Sequence, residues 1–559
     1  MREFFYSRKK YLLPVIHFLL SFLYERSIFL FREEQNIILS LPRNQIISDT
    51  GERILGYVIS KLFAAVMIFF LWHLLFWIVA NWRTRKNIRF FLGFFLLCLA
   101  GILLLWPNPF TASEDNYITY SYAIRFWPEY WHSAYTSCVY AAMLMVVPSP
   151  VFLTVFQLIF AFFVLGYLYN RIADSPVLKG KGKYSVFLVF LMPGVYTLFT
   201  NSYRTELYAL LSMFAVSMTA MDIVDGRKRG TGSLICNIFL CGFLGVWRTE
   251  GIILGFLLFI VQLLFLYKYK PVKSLACFLC MALAFVAFLV PQKLGDIKYY
   301  GKDYSFINSF PVLKNCLSSG LFYEGAGGDV AALSQVVPME ALRYYGMDGY
   351  RRYNYANGRK DINQSLASDE TASAYMKAYY RILLHNLPVY AKTQISMLLQ
   401  AIMVLEDAYV VGCDQPPDPD LPPWTLESWD IGRQDLENEP FVREWMETDI
   451  HQSFSAFAGK LIGFVENALK RIYFYSAVLI LIPLFEIFLF FREGIRFIKK
   501  RKNRFGLAGI AFLLLGQAAA IALVMPAGAL VYFHAYYYCS FFLCLIYMSS
   551  LKADARAIP

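Results

Sequence analysis

Apolar runs long enough to cross a bilayer recur through most of this 559-residue chain, and they limit its fold more than any other feature. A hydrocarbon core takes about 20 apolar residues to cross as a helix. Backbone polar groups inside it must find partners within the chain, which leaves helices or a closed barrel. A barrel is written in alternating segments of roughly 10 residues, and these runs are long and unbroken. Residues are 58% hydrophobic and 16% charged, against roughly 25% charged in an ordinary soluble domain. The expectation is an all-α polytopic membrane protein with about 12 transmembrane helices, outer interfacial helices and one large outer loop region.

The expected spans are 11–31, 55–81, 89–107, 149–170, 184–200, 205–224, 233–247, 251–267, 273–293, 472–491, 504–525 and 529–550. Their order puts the basic loops 81–89, 170–183, 225–230, 267–273 and 492–504 on one side with both termini. The positive-inside rule makes that side cytoplasmic. The other side receives 108–148, the short turns 201–204 and 248–250, and the long segment 294–471. Within that segment, residues 406–449 hold thirteen Asp and Glu against two Arg, as suits a loop facing away from anionic cytoplasmic lipid. Two apolar stretches, 133–147 and 385–405, break this parity as spans and are expected to lie in the outer interface. The chain then divides into additional membrane helices (1–88), a transmembrane core with its first outer loop (89–293), a large extracytoplasmic region (294–471) and C-terminal membrane helices (472–559).

The net charge of +12 sits in these loops and gives no reason to expect a nucleic-acid partner. The N-terminal run lacks a small-residue cleavage site, so it reads as a retained helix interrupted by Glu25 and Arg26. Cys277 and Cys280 form a C-x-x-C inside an apolar run with no second pair, which is not zinc spacing. Cys316 and Cys413 both fall on the outer side, and a disulfide between them is left open. The six histidines show no metal spacing.

Chemistry concentrates in two echoing segments, "NSYRTELYALL" (201–211) and "GVWRTEGIILG" (245–255). Each puts Arg-Thr-Glu at the outer mouth of an apolar helix. The helix dipole favours Glu206 and Glu250 there but opposes Arg204 and Arg248. An arginine beside free N-terminal amides makes a phosphate site. Within a helix, residues two apart diverge, so crosswise pairs are expected, Arg204 with Glu250 and Arg248 with Glu206. The plainer reading is that these charges reach the interface and cap their helices. Tyr203 and Trp247 precede the two arginines as supporting aromatics.

The first outer loop, "WPNPFTASEDNYITYSYAIRFWPEYWHSAYTS" (106–137), carries Glu114, Asp115, Arg125, Glu129 and His132 among Trp and Tyr. Carboxylates in an aromatic, partly dry site are candidates for general-base work; a solvated loop in an aromatic belt is the plainer reading. His534 and Tyr536 lie in the outer half of the last span, where a histidine is either satisfied by a neighbour or faces a cavity. The glycine-rich "YEGAGGD" (323–329) lacks the Lys-Ser/Thr of a nucleotide loop.

In order along the chain, these features resemble the GT-C superfamily of polytopic glycosyltransferases, which includes the protein O-mannosyltransferases and the aminoarabinose transferases. The resemblance covers roughly residues 85–550. It lies in an early span, an outer loop with "EDNYITYSYA" (114–123), an outer helix at 133–147, a large outer segment with "NLPVYAKTQ" (386–394), and a Tyr-rich last span. It implies that a loop acid deprotonates the acceptor. Asp115, eight residues before Ala123, matches the family's Asp. Many members carry a second acid just after it; here that place is Asn116 and the extra acid is Glu114, so the base is open between the two. Where many members have Arg-Tyr near the last span, this chain has His534 and Tyr536.

The expected function is transfer of a sugar from a polyprenyl-phosphate donor to a lipid, glycan or protein acceptor on the outer face of a bacterial cytoplasmic membrane. Asp115 or Glu114 takes the acceptor proton, and Arg204 and Arg248 hold the donor phosphate. No cofactor signature is present, and a divalent metal is left open. The rivals are a polysaccharide polymerase or ligase using a lipid diphosphate, and a lipid-linked-sugar transporter. A transporter calls for internal repeats and broken mid-membrane helices, of which only the Arg-Thr-Glu echo is present. The topology predicts that single cysteines in the five basic loops are labelled only from the cytoplasmic side. Outer labelling of the 225–230 loop removes the shared face of Arg204 and Arg248.

Overall fold

The computed structural model of the chain describes residues 2–29, 50–82, 84–105, 114–130, 133–178, 180, 183–185, 187, 204–267, 271–296, 309, 312–317, 319–320, 323–336, 369–402, 436, 440–454, 456–457, 460, 474–499, 504–525 and 530–555. Among them every regular element is helical. In chain order these are α1 (Arg2–Ile28), α2 (Thr50–Asn81), α3 (Lys86–Leu105), α4 (Glu114–Ile124), α5 (Ala134–Val146), α6 (Val151–Ala173), α7 (Arg204–Val224), α8 (Thr231–Trp247) and α9 (Gly251–Phe265). They are followed by α10 (Pro271–Gly295), α11 (Ala326–Ser334), α12 (Asp369–His385), α13 (Leu387–Ala401), α14 (Pro440–Met446), α15 (Phe474–Ile498), α16 (Phe505–Val524) and α17 (His534–Ala555). A 3₁₀ turn, Leu530–Phe533, leads into α17. Each expected span coincides with a helix except 184–200, which lies almost wholly outside the described residues.

Among the described residues six helices are long and apolar enough to cross a membrane: Gly51–Asn81, Val151–Ala173, Arg204–Val224, Val272–Gly295, Phe505–Val524 and Val531–Leu551. They differ in what they face. Only 17% of the most apolar window of α2 and of α10 is buried, against 83% for the last helix. Leu62, Val66 and Val79 on α2 and Leu283 on α10 therefore present bare apolar surface. A patch of that extent fits lipid contact, not a soluble exterior.

Several charged and polar groups inside the bundle are paired, as a dry interior favours. Glu25, the charge that interrupts the first apolar run, meets Lys61 of α2. Lys61 Nζ also donates to Ser21 Oγ at 2.8 Å, and the Tyr57 hydroxyl donates to Glu25 at 3.1 Å. The flanks of the five basic loops are joined by contacts. Arg85 Nη1 donates to Asn170 Oδ1 at 3.1 Å. Arg171 pairs with Asp222 at 2.6 Å, and the Arg229 amide donates to the Leu266 carbonyl at 3.1 Å. Phe505 meets Phe265 ring to ring at 6.1 Å.

One expectation is corrected. The 133–147 helix was expected to lie in the interface, yet every residue of α5 is buried. It packs against α2, α4, α1 and α6, because Ala, Ser and Thr along it let neighbouring helices close around it on all sides. The 385–405 stretch docks by one face, while Leu387 and Ile395 are exposed on the other. Thr393, Met397 and Ala401 of α13 are buried, and the Tyr390 hydroxyl donates to the Leu523 carbonyl of α16 at 2.7 Å. Within 294–471, a second core forms from Val312, Leu313, Leu333, Tyr375 and Ile382. Cys316 is buried there as a free thiol, and Cys413 lies outside the described residues. Cys277 and Cys280 are also free thiols.

Helices α8 and α9 form a hairpin whose backbones nearly touch. A Cβ on Gly251 would stand 1.9 Å from the Leu244 carbonyl oxygen, and one on Gly255 2.2 Å from that of Cys241. Two small residues four apart allow this approach. Gly255→Val is expected to destabilise the protein by about 1–3 kcal/mol, the usual range for overpacking, seen as a lower thermal midpoint in detergent. An unchanged midpoint shows that the two backbones do not approach so closely.

Candidate functional site

The hairpin turn brings the two Arg-Thr-Glu segments together. Trp247 ends α8, is fully buried, and donates its indole N–H to the Arg204 carbonyl at 2.8 Å. That bond ties the end of α8 to the first residue of α7. Arg248 follows in extended conformation, with φ −144° and ψ 151°. Its Nε donates to the Glu250 carboxylate and its Nη1 to the Thr205 hydroxyl. The guanidinium carbon lies 5.8 Å from the centre of the Tyr532 ring, within cation–π range. Nη2 makes no hydrogen bond among the described residues.

The crosswise pairing is therefore corrected. Arg248 pairs with Glu250 of its own segment, not with Glu206, and Glu250 meets Arg248 and Thr249, not Arg204. The rule that residues two apart diverge holds only inside a helix. Arg248 lies just past the end of α8, so its side chain folds back over the turn. Glu206 stands in the first turn of α7 and takes another partner, His534. His534 Nδ1 and Glu206 Oε1 are 2.8 Å apart, and both side chains are 2% exposed. The other carboxylate oxygen of Glu206 and Nε2 of His534 are buried with no partner among the described residues.

Tyr536 does not join this group. Its hydroxyl donates to Glu486 of α15 at 2.8 Å, because two residues along α17 it faces the opposite flank. Tyr203 and His132 lie outside the described residues.

The first loop is sewn to the same end of the bundle. Ser133 Oγ donates to the Val246 carbonyl at 2.9 Å, one residue from Trp247. Gln292 of α10 accepts from the Ala134 amide at 2.7 Å and donates to the Tyr130 carbonyl at 2.9 Å. Helix α4 opens at Glu114 and Asp115; only their backbone is described. A carboxylate in the first helical turn is favoured by the dipole. Further along α4, the Thr119 hydroxyl donates to Glu129 at 2.8 Å, and Glu129 is 1% exposed. The loop turns at Phe126, whose φ of 58° is left-handed and costly for a bulky residue. Phe126 is held by stacking on Phe29 at 4.4 Å and by Gly56, where a Cβ would stand 2.3 Å from the Phe126 carbonyl oxygen.

Sequence reasoning missed one participant. Arg53 donates from Nε to the Arg125 carbonyl at 3.1 Å and lies 5.7 Å from the centre of the Trp127 ring. Its signal was a basic residue at the mouth of an apolar helix, the same signal as Arg204. Glu129, read as one of the loop acids in an aromatic, partly dry site, is almost wholly buried. Among the described residues no group of three or more His, Cys, Asp or Glu gathers as a metal site.

No protein-family model matches the chain, nor does any curated protein or solved structure.

The pairing predicts a measurable coupling. In a double-mutant cycle, Arg248→Ala and Glu250→Ala should couple by about 0.5–3 kcal/mol in stability, while Arg204→Ala with Glu250→Ala should add. Additive Arg248 and Glu250 effects break the assigned pair.

Proposed function

We propose that this chain is a GT-C-type membrane glycosyltransferase that moves a sugar from a polyprenyl phosphate to an acceptor on the extracytoplasmic face. The observation that carries the reading is the junction of both Arg-Thr-Glu segments with the acid-bearing first loop at one end of the helices, opposite the basic loops. Charged side chains in such a place are costly and mark function by default. In this reading twelve spans cross the membrane and both termini are cytoplasmic.

The short hairpin supports a recessed site. At about 1.5 Å per residue, α8 and α9 are roughly 25 and 22 Å long, against a hydrocarbon core of about 30 Å. With the basic end held at the interface, the Arg248 turn stops several ångströms short of the far surface. A lipid-borne phosphate reaches such a depth by way of its own chain. The unpartnered Glu206 and His534 atoms support a polar occupant beside the turn, since buried polar atoms without partners call for a water, ion or ligand.

The acceptor hydroxyl oxygen attacks the anomeric carbon, and its proton passes to Asp115, or to Glu114. The bond from the anomeric carbon to the phosphate oxygen breaks, and the polyprenyl phosphate leaves with the electron pair. Arg204 and the free Nη2 of Arg248 stabilise the charge that grows on the leaving phosphate. Glu250 and Thr205 fix the other edge of the Arg248 guanidinium, so it is already oriented when the phosphate arrives. Glu206 and His534 hold α7 against α17 beside it.

Asp115→Asn is expected to lower transfer from a polyprenyl-phosphate sugar by about 10²–10⁴-fold, the usual contribution of a general base, with donor binding kept. If Asp115→Asn retains near-normal transfer, the base is Glu114. Activity in the double variant Glu114→Gln/Asp115→Asn ends the reading.

A further inference from the structure

Helices α12 and α13 meet at an elbow that the proposed reaction does not use. The first gives way at Asn386, whose side-chain amide donates to the Ile382 carbonyl at 2.8 Å. Pro388 stands in the first turn of the second, where its missing N–H costs nothing. The elbow is held on two flanks. Tyr375 and Ile382 of α12 sit in the second core, and the Thr393 hydroxyl of α13 accepts from the Asn315 side-chain amide at 2.7 Å. On the other flank α13 packs against α16 and the 3₁₀ turn, and Tyr390 is bonded to the Leu523 carbonyl.

The face left over changes its chemistry along its length. In the first half of α12 it shows Ser373 and Lys377. Two turns on, at Tyr380 and Leu384, the same face is apolar and exposed, since residues seven apart share a helix face. Past the elbow it continues as exposed Leu387 and Ile395. A helix face that passes from polar to bare apolar surface is leaving water, and such a patch marks a membrane or protein contact. Tyr380, at the changeover, is of a residue type that favours membrane interfaces. Lys392 is exposed on α13, and its long stem lets the ammonium reach back to water from an apolar surface.

The position of the elbow decides what covers it. The Tyr390 bond fixes α13 at the end of α16 away from the basic loop 492–504, and there Leu523 and Val524 are exposed as well. Helix α16 is long and apolar enough to cross a membrane, so its last turn marks the level at which hydrocarbon gives way to headgroups. The apolar face of α13 is continuous with that rim. An amphipathic helix at this level buries its apolar face about 5–10 Å into the boundary between headgroups and acyl chains.

We propose that the α12–α13 elbow is seated in the bilayer surface, with lipid covering Tyr380, Leu384, Leu387 and Ile395. The attachment holds the second core beside the 3₁₀ turn, whose Tyr532 lies next to Arg248. It requires a membrane-crossing bundle and no particular reaction.

The test uses the full chain in phosphatidylcholine nanodiscs, with the photoreactive p-benzoylphenylalanine replacing Leu384, Leu387 or Ile395 one at a time. Leu62, on the bare apolar surface of α2, and Ser373, on the polar part of α12, are replaced in the same way as references. After irradiation, mass spectrometry of the digested chain reads what each side chain has captured. Lipid adducts are expected at all three elbow positions, at yields like that of Leu62 and at least tenfold above that of Ser373. The thermal midpoint should be unchanged, because all three positions are exposed and have room for the ring. Lipid capture no greater than at Ser373 while Leu62 is labelled, or capture of a second copy of the chain in its place, overturns the proposal. No turnover is measured, so the outcome is separate from that of the Asp115 and Glu114 variants.

Discussion

The hydrogen bonds of Arg248 decide how this end of the molecule is built. A guanidinium almost removed from water must satisfy its N–H groups, and here they take the Thr205 hydroxyl and the Glu250 carboxylate. Thr205 belongs to α7 and Glu250 opens α9, so one side chain fixes two helix mouths against the end of a third. The Trp247 bond to the Arg204 carbonyl closes the same junction from the other side. Three helix ends are thus registered to one another before any ligand is present. Such preorganisation is what electrostatic catalysis requires, because dipoles already in place cost no reorganisation when charge develops.

The hydrophobic runs made the helices legible, since length and apolarity are local properties. The doubled Arg-Thr-Glu was legible too, and the structure brings the two copies together. What failed was the partner assignment, and for a physical reason. The i, i+2 argument was applied to Arg248 and Glu250 as if they shared a helix, whereas both lie in the 248–250 turn between α8 and α9, where residues two apart can meet. The environment of α5 was misread because its length and its terminal proline resemble an interfacial segment. Its surroundings are set by α2 and α6, which lie far away in sequence. The "GIILG" spacing at 251–255 did carry the close hairpin in plain letters. The loop acids, Glu129 among them, were legible as candidates, but how deeply Glu129 is buried was not, because burial of a loop depends on what closes over it.

Some polar bonds lie deep in the bundle, among apolar and aromatic side chains. Lys61 with Glu25, and Glu486 with Tyr536, are buried pairs too. Each links one helix to a neighbour that apolar packing alone would leave free to rotate, since lipid competes equally for an apolar face. The paired charges give the helices a rotational register that hydrophobicity does not supply.

The first two helices change meaning in this light. By chain order they look like a prefix to the helices that follow. In space α2 runs along α5, and Gly56 lies directly beneath the strained Phe126 turn. The first loop owes its shape to a segment made before it, so the helices at the front of the chain serve as the mould in which that loop is cast. A protein of similar core that begins later in sequence needs another surface there, or a loop of a different shape.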